Sequence, residues 1–294
     1  MYEQFYNFNE KPFTLLPDPS FLYLGKKHQM ALTMLQYGLS NNSGFSVITG
    51  EIGSGKTTLI RALLDEMDED ITVGLISNTH QSFGNLMQWV LMAFGLEYKG
   101  KEKVECYEDF VNYVVQEYAR NKRTVLIIDE AQNLSIDTLE ELRMLSNINA
   151  DKNQVLQLIL VGQPELRSAL MLPSLRQFAQ RISVNYHLEA LSAQETVSYI
   201  HHRVKTAGGD EQLFPERSCS LVWYYSRGIP RVINTICDTA LVYGFAEQSE
   251  VIETSVIKDV VRDRKMGGIF AGRSDEEDDH IEGEDIAIQS DGSS

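Results

Sequence analysis

An α/β fold, with a five-stranded parallel sheet carrying helices on both faces and a small helical domain after it, is predicted by three observations. Five short β-branched or leucine-rich runs alternate with segments whose apolar residues recur three and four positions apart. A glycine-rich turn joins the first run directly to a helical segment, as a parallel strand feeds its crossover. After Leu188 the strand-like runs stop and helix signals take over.

Each element has its own warrant. Residues 44–49 form a buried strand, followed by the glycine-rich turn and a helix from Lys56 to about Met67. Residues 73–77 are a second short strand, and the spacing predicts helices over 82–94 and 107–121. Residues 125–128, Val-Leu-Ile-Ile, are apolar at successive positions, the pattern of a strand covered on both faces. A helix over 137–148 and strands over 156–161 and 182–186 complete the sheet. Ser192-Ala-Gln-Glu195 then reads as a capping box, in which each side chain satisfies the other residue's orphan amide. It opens a helix that stops near Gly208-Gly209, and further helices follow over 215–226, 230–246 and 254–264. These place a nucleotide-binding domain at 1–188, a helical domain at 189–268 and an acidic disordered tail at 269–294.

Composition narrows the class. The chain has 294 residues, 43% hydrophobic and 23% charged, which excludes collagen-like and wholly disordered readings. Cys106, Cys219 and Cys237 lie far apart with no Cys-x-x-Cys spacing, so neither a disulfide framework nor a zinc site is indicated, and a reducing cytosol is. The formal charge is -16, but the stretch from Ser274 to Ser294 contributes nine acids and no Lys or Arg, leaving -7 for the remainder. That balance disfavours broad nucleic-acid binding. With no apolar run long enough to span a bilayer and no signal-peptide pattern at the N-terminus, the expectation is a cytoplasmic protein.

The chemistry is carried by two motifs. Gly50-Glu51-Ile52-Gly53-Ser54-Gly55-Lys56-Thr57 fits Gly-x4-Gly-Lys-[Ser/Thr] between a strand and a helix. The glycines let the backbone wrap phosphate oxygens with its N–H groups inward. The helix N-terminus adds positive potential there, Lys56 reaches the β- and γ-phosphates, and Thr57 ligates Mg2+. The second motif is Asp129-Glu130 at the carboxyl end of the 125–128 strand, where open α/β sheets bind ligands. Asp129 is the expected magnesium carboxylate. Glu130 is placed to deprotonate an attacking water. Together they predict an enzyme that binds ATP and Mg2+ and hydrolyses ATP, with Gly50 to Thr58 as its phosphate loop.

These motifs, with an extra strand between them and a helical lid after the sheet, resemble the AAA+ branch of P-loop ATPases. The resemblance implies further residues. Gln163, in Val161-Gly-Gln-Pro164, occupies the place of the polar residue that senses the γ-phosphate, and Arg231, in Gly228-Ile-Pro-Arg231, that of the lid arginine. Asn78, ending the second strand, resembles the residue that pairs with the catalytic glutamate between turnovers. Arg176 and Arg181, just before the fifth strand, stand where the family keeps an arginine for the neighbouring subunit's site, Arg181 being slightly preferred. Such an arginine implies a homo-oligomer.

A longer resemblance runs from about residue 2 to 262. Phe8-Asn-Glu-Lys-Pro12-Phe13, Pro17-Asp-Pro-Ser-Phe21-Leu-Tyr23, His28, Asp129-Glu-Ala-Gln132 and Tyr199-Ile-His-His-Arg203 are similar to the general secretion pathway protein A group. Its relatives accompany type II secretion, type IV pilus and exopolysaccharide-export systems. The likeness implies an ATPase that energises or regulates such an envelope system from the cytoplasmic side through a protein partner. It also implies that the N-terminal proline and aromatic stretch covers the adenine. Secretion members continue into a membrane span and a periplasmic peptidoglycan-binding domain, and the acidic stretch here stands in their place. Membrane recruitment would then need a partner. DNA-dependent AAA+ ATPases of the transposition-regulator type share the core motifs and are the competing class, with the charge balance set against them.

Overall fold

A computed structural model describes residues 1–15, 19–41, 43–77, 86–150 and 153–266. The expected tail over 269–294 and Asn78 lie outside these residues.

Five parallel strands form the sheet: β1 (Phe45–Gly50), β2 (Ile71–Ile76), β3 (Arg123–Ile128), β6 (Leu156–Gly162) and β7 (Ile182–Leu188). Two two-residue strands, β4 (Asn149–Ala150) and β5 (Asn153–Gln154), pair antiparallel outside it. The strand order is β2-β3-β6-β1-β7. β6 therefore lies between β3 and β1, with Ile128 level with Leu160 on one side and Thr49 level with Gly162 on the other. This order sets the carboxyl ends of β1, β6 and β3 side by side, at the edge where α/β sheets bind ligands.

Alternation along the strands explains the layers. Val125 and Ile127 face one side of β3, Leu126 and Ile128 the other, and each pair joins a different core. Helices α1 (Lys26–Ser40) and α2 (Lys56–Asp65) cover the first face through Leu35, Leu59 and Leu63. The second face packs against α3 (Leu86–Ala93), α4 (Lys103–Ala119), α5 (Ile136–Leu145), α6 (Pro164–Leu170) and the short α7 (Arg176–Ala179). The helix expected over 82–94 is described from Leu86 onward.

The helical unit comprises α8 (Ala193–Thr206), α9 (Glu216–Ser226), α10 (Pro230–Ala246) and α11 (Thr254–Met266). Its first cap forms as the spacing predicts: Glu195 N donates to Ser192 Oγ at 3.2 Å and Ser192 N to Glu195 Oε2 at 2.9 Å.

The N-terminal segment departs from the division drawn by sequence order. Residues 1–188 were expected as one domain, yet Tyr2, Tyr6, Phe8, Phe13 and Phe21 pack in the core of the helical unit with Ile200, Phe214, Ile233 and Leu241. Asn9 N donates to Ala207 O, and Arg203 Nε to Pro12 O at 2.6 Å. An aromatic-rich stretch without regular structure cannot cover its own rings, so it takes the apolar surface that α8 to α11 leave open. Phe13, almost fully buried edge-on to Phe214, is the keystone of this strap. Phe13→Ala is expected to lower unfolding stability by about 3–5 kcal/mol, read as a lower urea midpoint; an unchanged midpoint would contradict the packing.

Candidate nucleotide site

The loop from Glu51 to Gly55 leaves β1 and turns straight into α2. Gly53 (φ 80°) and Gly55 (φ 99°) adopt the left-handed conformation that side chains resist. Space imposes a second demand. A Cβ on Gly53 would lie 2.5 Å from Arg231 Cβ, and one on Gly55 would lie 2.9 Å from His28 Nε2. Two neighbours thus press on the loop from opposite directions of the chain, α1 before it and α10 after it.

Lys56 is only 6% exposed. Its Nζ donates to Gly50 O at 2.8 Å and to Glu51 O at 2.9 Å, so the ammonium arcs back over the loop. Burial lowers its pKa against the opposing pull of Glu130 and Asp129. Ser54 is buried, Glu51 and Ile52 are exposed, Ile52 at the cleft, and Thr58 is half-buried on the first turn of α2.

Thr57 Oγ1 donates to Asp129 Oδ2 at 3.0 Å, joining the two motifs across 72 residues. Asp129 is 5% exposed, and burial raises its pKa despite hydrogen bonds from Glu130 N and Thr57. A hydroxyl and a carboxylate side by side are hard oxygen donors, which suit Mg2+ with phosphate and water oxygens filling the remaining positions. Thr57 and Asp129 therefore fit the cation that the motifs imply.

Glu130 is held in a left-handed backbone conformation, φ 54° and ψ 35°. Its Oε2 accepts from Gln132 Nε2 at 2.6 Å and from Gln163 Nε2 at 3.1 Å. Burial pushes its carboxyl up, but these two amides and the charges of Lys56 and Arg231 outweigh it and hold the pKa below its ordinary value. Gln163 follows β6 and stands beside Glu130 because β6 is the neighbour of β3. Arg231, at the start of α10, donates its backbone N–H to Gly53 O at 3.2 Å and lines the same cleft.

The cleft encloses about 350 Å3, within the range of small-molecule sites. Lys56, Thr57, Thr58, Glu130, Gln163 and Arg231 line it together with Gly53 and Gly55. Its other walls are Thr14, Leu15, Phe21, Leu22 and Tyr23 from the N-terminal segment, and Leu191, Tyr199, Arg203 and Asn234 from the helical unit. The strap that the sequence assigns to adenine cover does border the cleft.

Arg176 and Arg181 lie outside it. Arg181 NH1 donates to Ser146 Oγ at 2.8 Å, at the end of α5. Arg176 is exposed at the start of α7, and its side chain makes no hydrogen bond or ion pair among the described residues.

Two residues of the site escape the motif reading. His28 is buried on α1, with Nε2 2.9 Å from Ser54 O. A carbonyl only accepts, so this nitrogen carries the proton and the ring braces the phosphate loop. Gln132 is the other: besides binding Glu130, its Oε1 accepts from Gln163 N at 3.0 Å. For both, the one available signal is their place in the quoted likeness, His28 alone and Gln132 in Asp129-Glu-Ala-Gln132.

Comparison with known proteins agrees with this fold. Residues 40–170 match a family model described as an AAA domain. General secretion pathway protein A of Aeromonas hydrophila is 39% identical over 253 residues, which cover 86% of this chain. The chain spans about half of that relative, 46% of its length. Among solved structures, Cdc6p of Pyrobaculum aerophilum superposes with a TM-score of 0.68 at 17% identity, covering 90% of this chain and 72% of that one. The ORC2 protein of Aeropyrum pernix, solved as ADPNP–ADP complexes, gives 0.64 at 16%, covering 91% and 73%. At such identities the structures speak for the fold alone.

Proposed function

Because the chain has the fold of P-loop AAA+ proteins and is similar to general secretion pathway protein A, we propose that it belongs with them, binds ATP with Mg2+ and hydrolyses it. In this reading it energises or regulates an envelope secretion, pilus or polysaccharide-export system from the cytoplasmic side. The observation that carries the enzymatic half is convergence. Lys56, the Thr57–Asp129 pair, the Glu130–Gln163 pair and Arg231 come from four separate stretches of chain and meet at one cleft.

The roles follow from the chemistry of each group. Backbone N–H groups of the loop and of the first turn of α2 cradle the phosphates. Lys56 exchanges its carbonyl partners for β- and γ-phosphate oxygens. Thr57 and Asp129 hold Mg2+, which supplies charge neutralisation on the phosphates. Glu130 orients a water and takes its proton as the water oxygen bonds to the γ-phosphorus and the bond to the β–γ bridging oxygen breaks. Gln163 and Arg231 contact the γ-phosphoryl group, and Arg231 ties that contact to the helical unit. An arginine of a neighbouring copy completes the site, so the working species is a homo-oligomer.

The partner half rests on the 39% identity, and a protein of the envelope system is the partner that this likeness supports. No helix among the described residues is long and apolar enough to cross a membrane.

Lys56→Ala tests the site directly. A hydrogen bond to a charged group is worth about 1.5–3 kcal/mol, so ATP affinity should drop roughly ten- to hundredfold and turnover with it. Titration of a fluorescent ATP analogue and a phosphate-release assay read the two effects. Binding and turnover that both survive the substitution would sink the assignment. The partner half fails if ATP-loaded protein binds DNA tightly and loses it steeply as salt rises, the signature of phosphate contacts.

A further inference from the structure

Glu130, Gln132 and Gln163 close a ring of three hydrogen bonds. Gln132 Nε2 donates to Glu130 Oε2 at 2.6 Å, Gln163 Nε2 donates to the same oxygen at 3.1 Å, and Gln163 N donates to Gln132 Oε1 at 3.0 Å. The two ends of the Gln132 amide are not interchangeable here. Only the NH2 end can donate to a carboxylate and only the oxygen can accept from a backbone N–H, so the chemistry of the partners settles its orientation. The fold makes room for it as well: a Cβ on Gly162 would stand 2.9 Å from Gln132 Oε1.

We infer that Gln132 is a positioning residue for hydrolysis, holding the Glu130 carboxylate in register with the end of β6. The inference rests on the hydrolytic reading of Glu130 above and adds to it the residue that aims that glutamate. Gln132 sits on the single 3-10 turn Ala131–Asn133 directly after Glu130. Glu130 belongs to the end of β3 and Gln163 to the end of β6. The Gln132 amide is thus a strut between two neighbouring strand ends. When Gln163 turns toward a γ-phosphate, Gln132 retains its own bonds to Glu130 and to the Gln163 backbone, and the carboxylate keeps its aim while one donor leaves it. A side chain that merely filled space would need neither polar end.

The residue types that can replace it are limited. Methionine has the length and neither bond. Asparagine is one methylene short and cannot reach both partners. Glutamate still accepts from Gln163 N, but sets its charge against Glu130.

The test is steady-state ATP hydrolysis with ATP affinity measured separately, in wild type, Gln132→Met, Gln132→Glu, Gln163→Ala and the Gln132→Met/Gln163→Ala pair. Gln132→Met should lower kcat by roughly tenfold or more while leaving ATP affinity within about twofold. Gln132→Glu should lose at least as much in kcat although it keeps the backbone bond. The pair should lose less than the product of its single losses, because the residues share one network. A methionine variant with wild-type kcat, or losses that multiply, would overturn the inference. The parallel Glu130→Gln protein separates the two readings. If that variant loses turnover and Gln132→Met does not, only the role of Gln132 falls. Should wild type bind ATP without hydrolysing it, the hydrolytic reading falls, and the positioning role with it. The strut would then be read by the Gln163 backbone 15N–1H resonance. A resonance that Gln132→Met leaves in place would remove the strut too, whereas one that shifts would keep it as a structural brace.

Discussion

Glu130→Gln protein is expected to bind ATP as wild type does and to turn it over about 10²–10⁴-fold more slowly, the usual contribution of a positioned general base. The substitution keeps the side chain's length and its ability to accept from Gln132 and Gln163, and it removes the charge that would take the water's proton. The local electrostatics sharpen the expectation. Against the push of burial, the Gln132 and Gln163 amides, joined by the charges of Lys56 and Arg231, hold the Glu130 carboxyl below its ordinary value. The group is therefore ionised in the resting site, ready to accept a proton without first losing one. It is also a weaker base than a carboxylate without those neighbours, which suits a site whose water becomes acidic only as it attacks phosphorus. Single-turnover phosphate release and equilibrium ATP binding separate the two halves of the claim. Loss of binding together with turnover would move Glu130 from the reaction to the construction of the cleft. Unchanged turnover would pass the base to another group.

Legibility in the sequence followed the range of the interactions. The phosphate loop is written in eight consecutive residues, since one short backbone arc must wrap one phosphate chain, and Lys56 and Thr57 stand where the pattern places them. The central strands β3 and β6 are legible because burial on both faces leaves them almost wholly apolar. Which strands they lie beside is not. That Gln163 would stand beside Glu130 depends on β6 lying between β3 and β1, a fact of topology that no local pattern carries. Gln132 inherits the same dependence. His28 lies 26 residues before the carbonyl it braces, and the spacing of His28, Ala31, Leu32, Leu35 and Leu39, which marks one buried face of α1, went unused as a helix signal. Helix α6 has only seven residues, too few for a period to emerge. The misplaced strap has another cause. Sequence order assigns the N-terminal stretch to the nucleotide-binding domain at 1–188, whereas the rings of Tyr2, Tyr6, Phe8, Phe13 and Phe21 need apolar surface and find it on helices about two hundred residues later.

Arg176→Ala is expected to abolish most turnover, on the order of 10³-fold by analogy with other arginines supplied to a phosphoryl-transfer site from outside, while ATP affinity in the isolated chain stays near wild type. The sequence leaned slightly to Arg181, and the geometry argues the other way. Arg181 already has a partner in Ser146 Oγ, on the same chain, and reaching a neighbouring copy would break that bond. Arg176 is exposed at the head of α7, with no such bond among the described residues to give up. Its charge is a free donor fork, matched to phosphate oxygens. Arg181→Ala should instead cost about 1 kcal/mol of stability, the net worth of one ordinary hydrogen bond, and little turnover. Mixing decides between a role in trans and one in cis. A Lys56→Ala protomer can lend its Arg176 to the intact phosphate loop of an Arg176→Ala protomer, so two inactive proteins should regain activity when combined. If the mixture stays inactive under conditions where wild type is assembled, Arg176 does not act across an interface, and a full rate in Arg176→Ala alone would return the choice to Arg181.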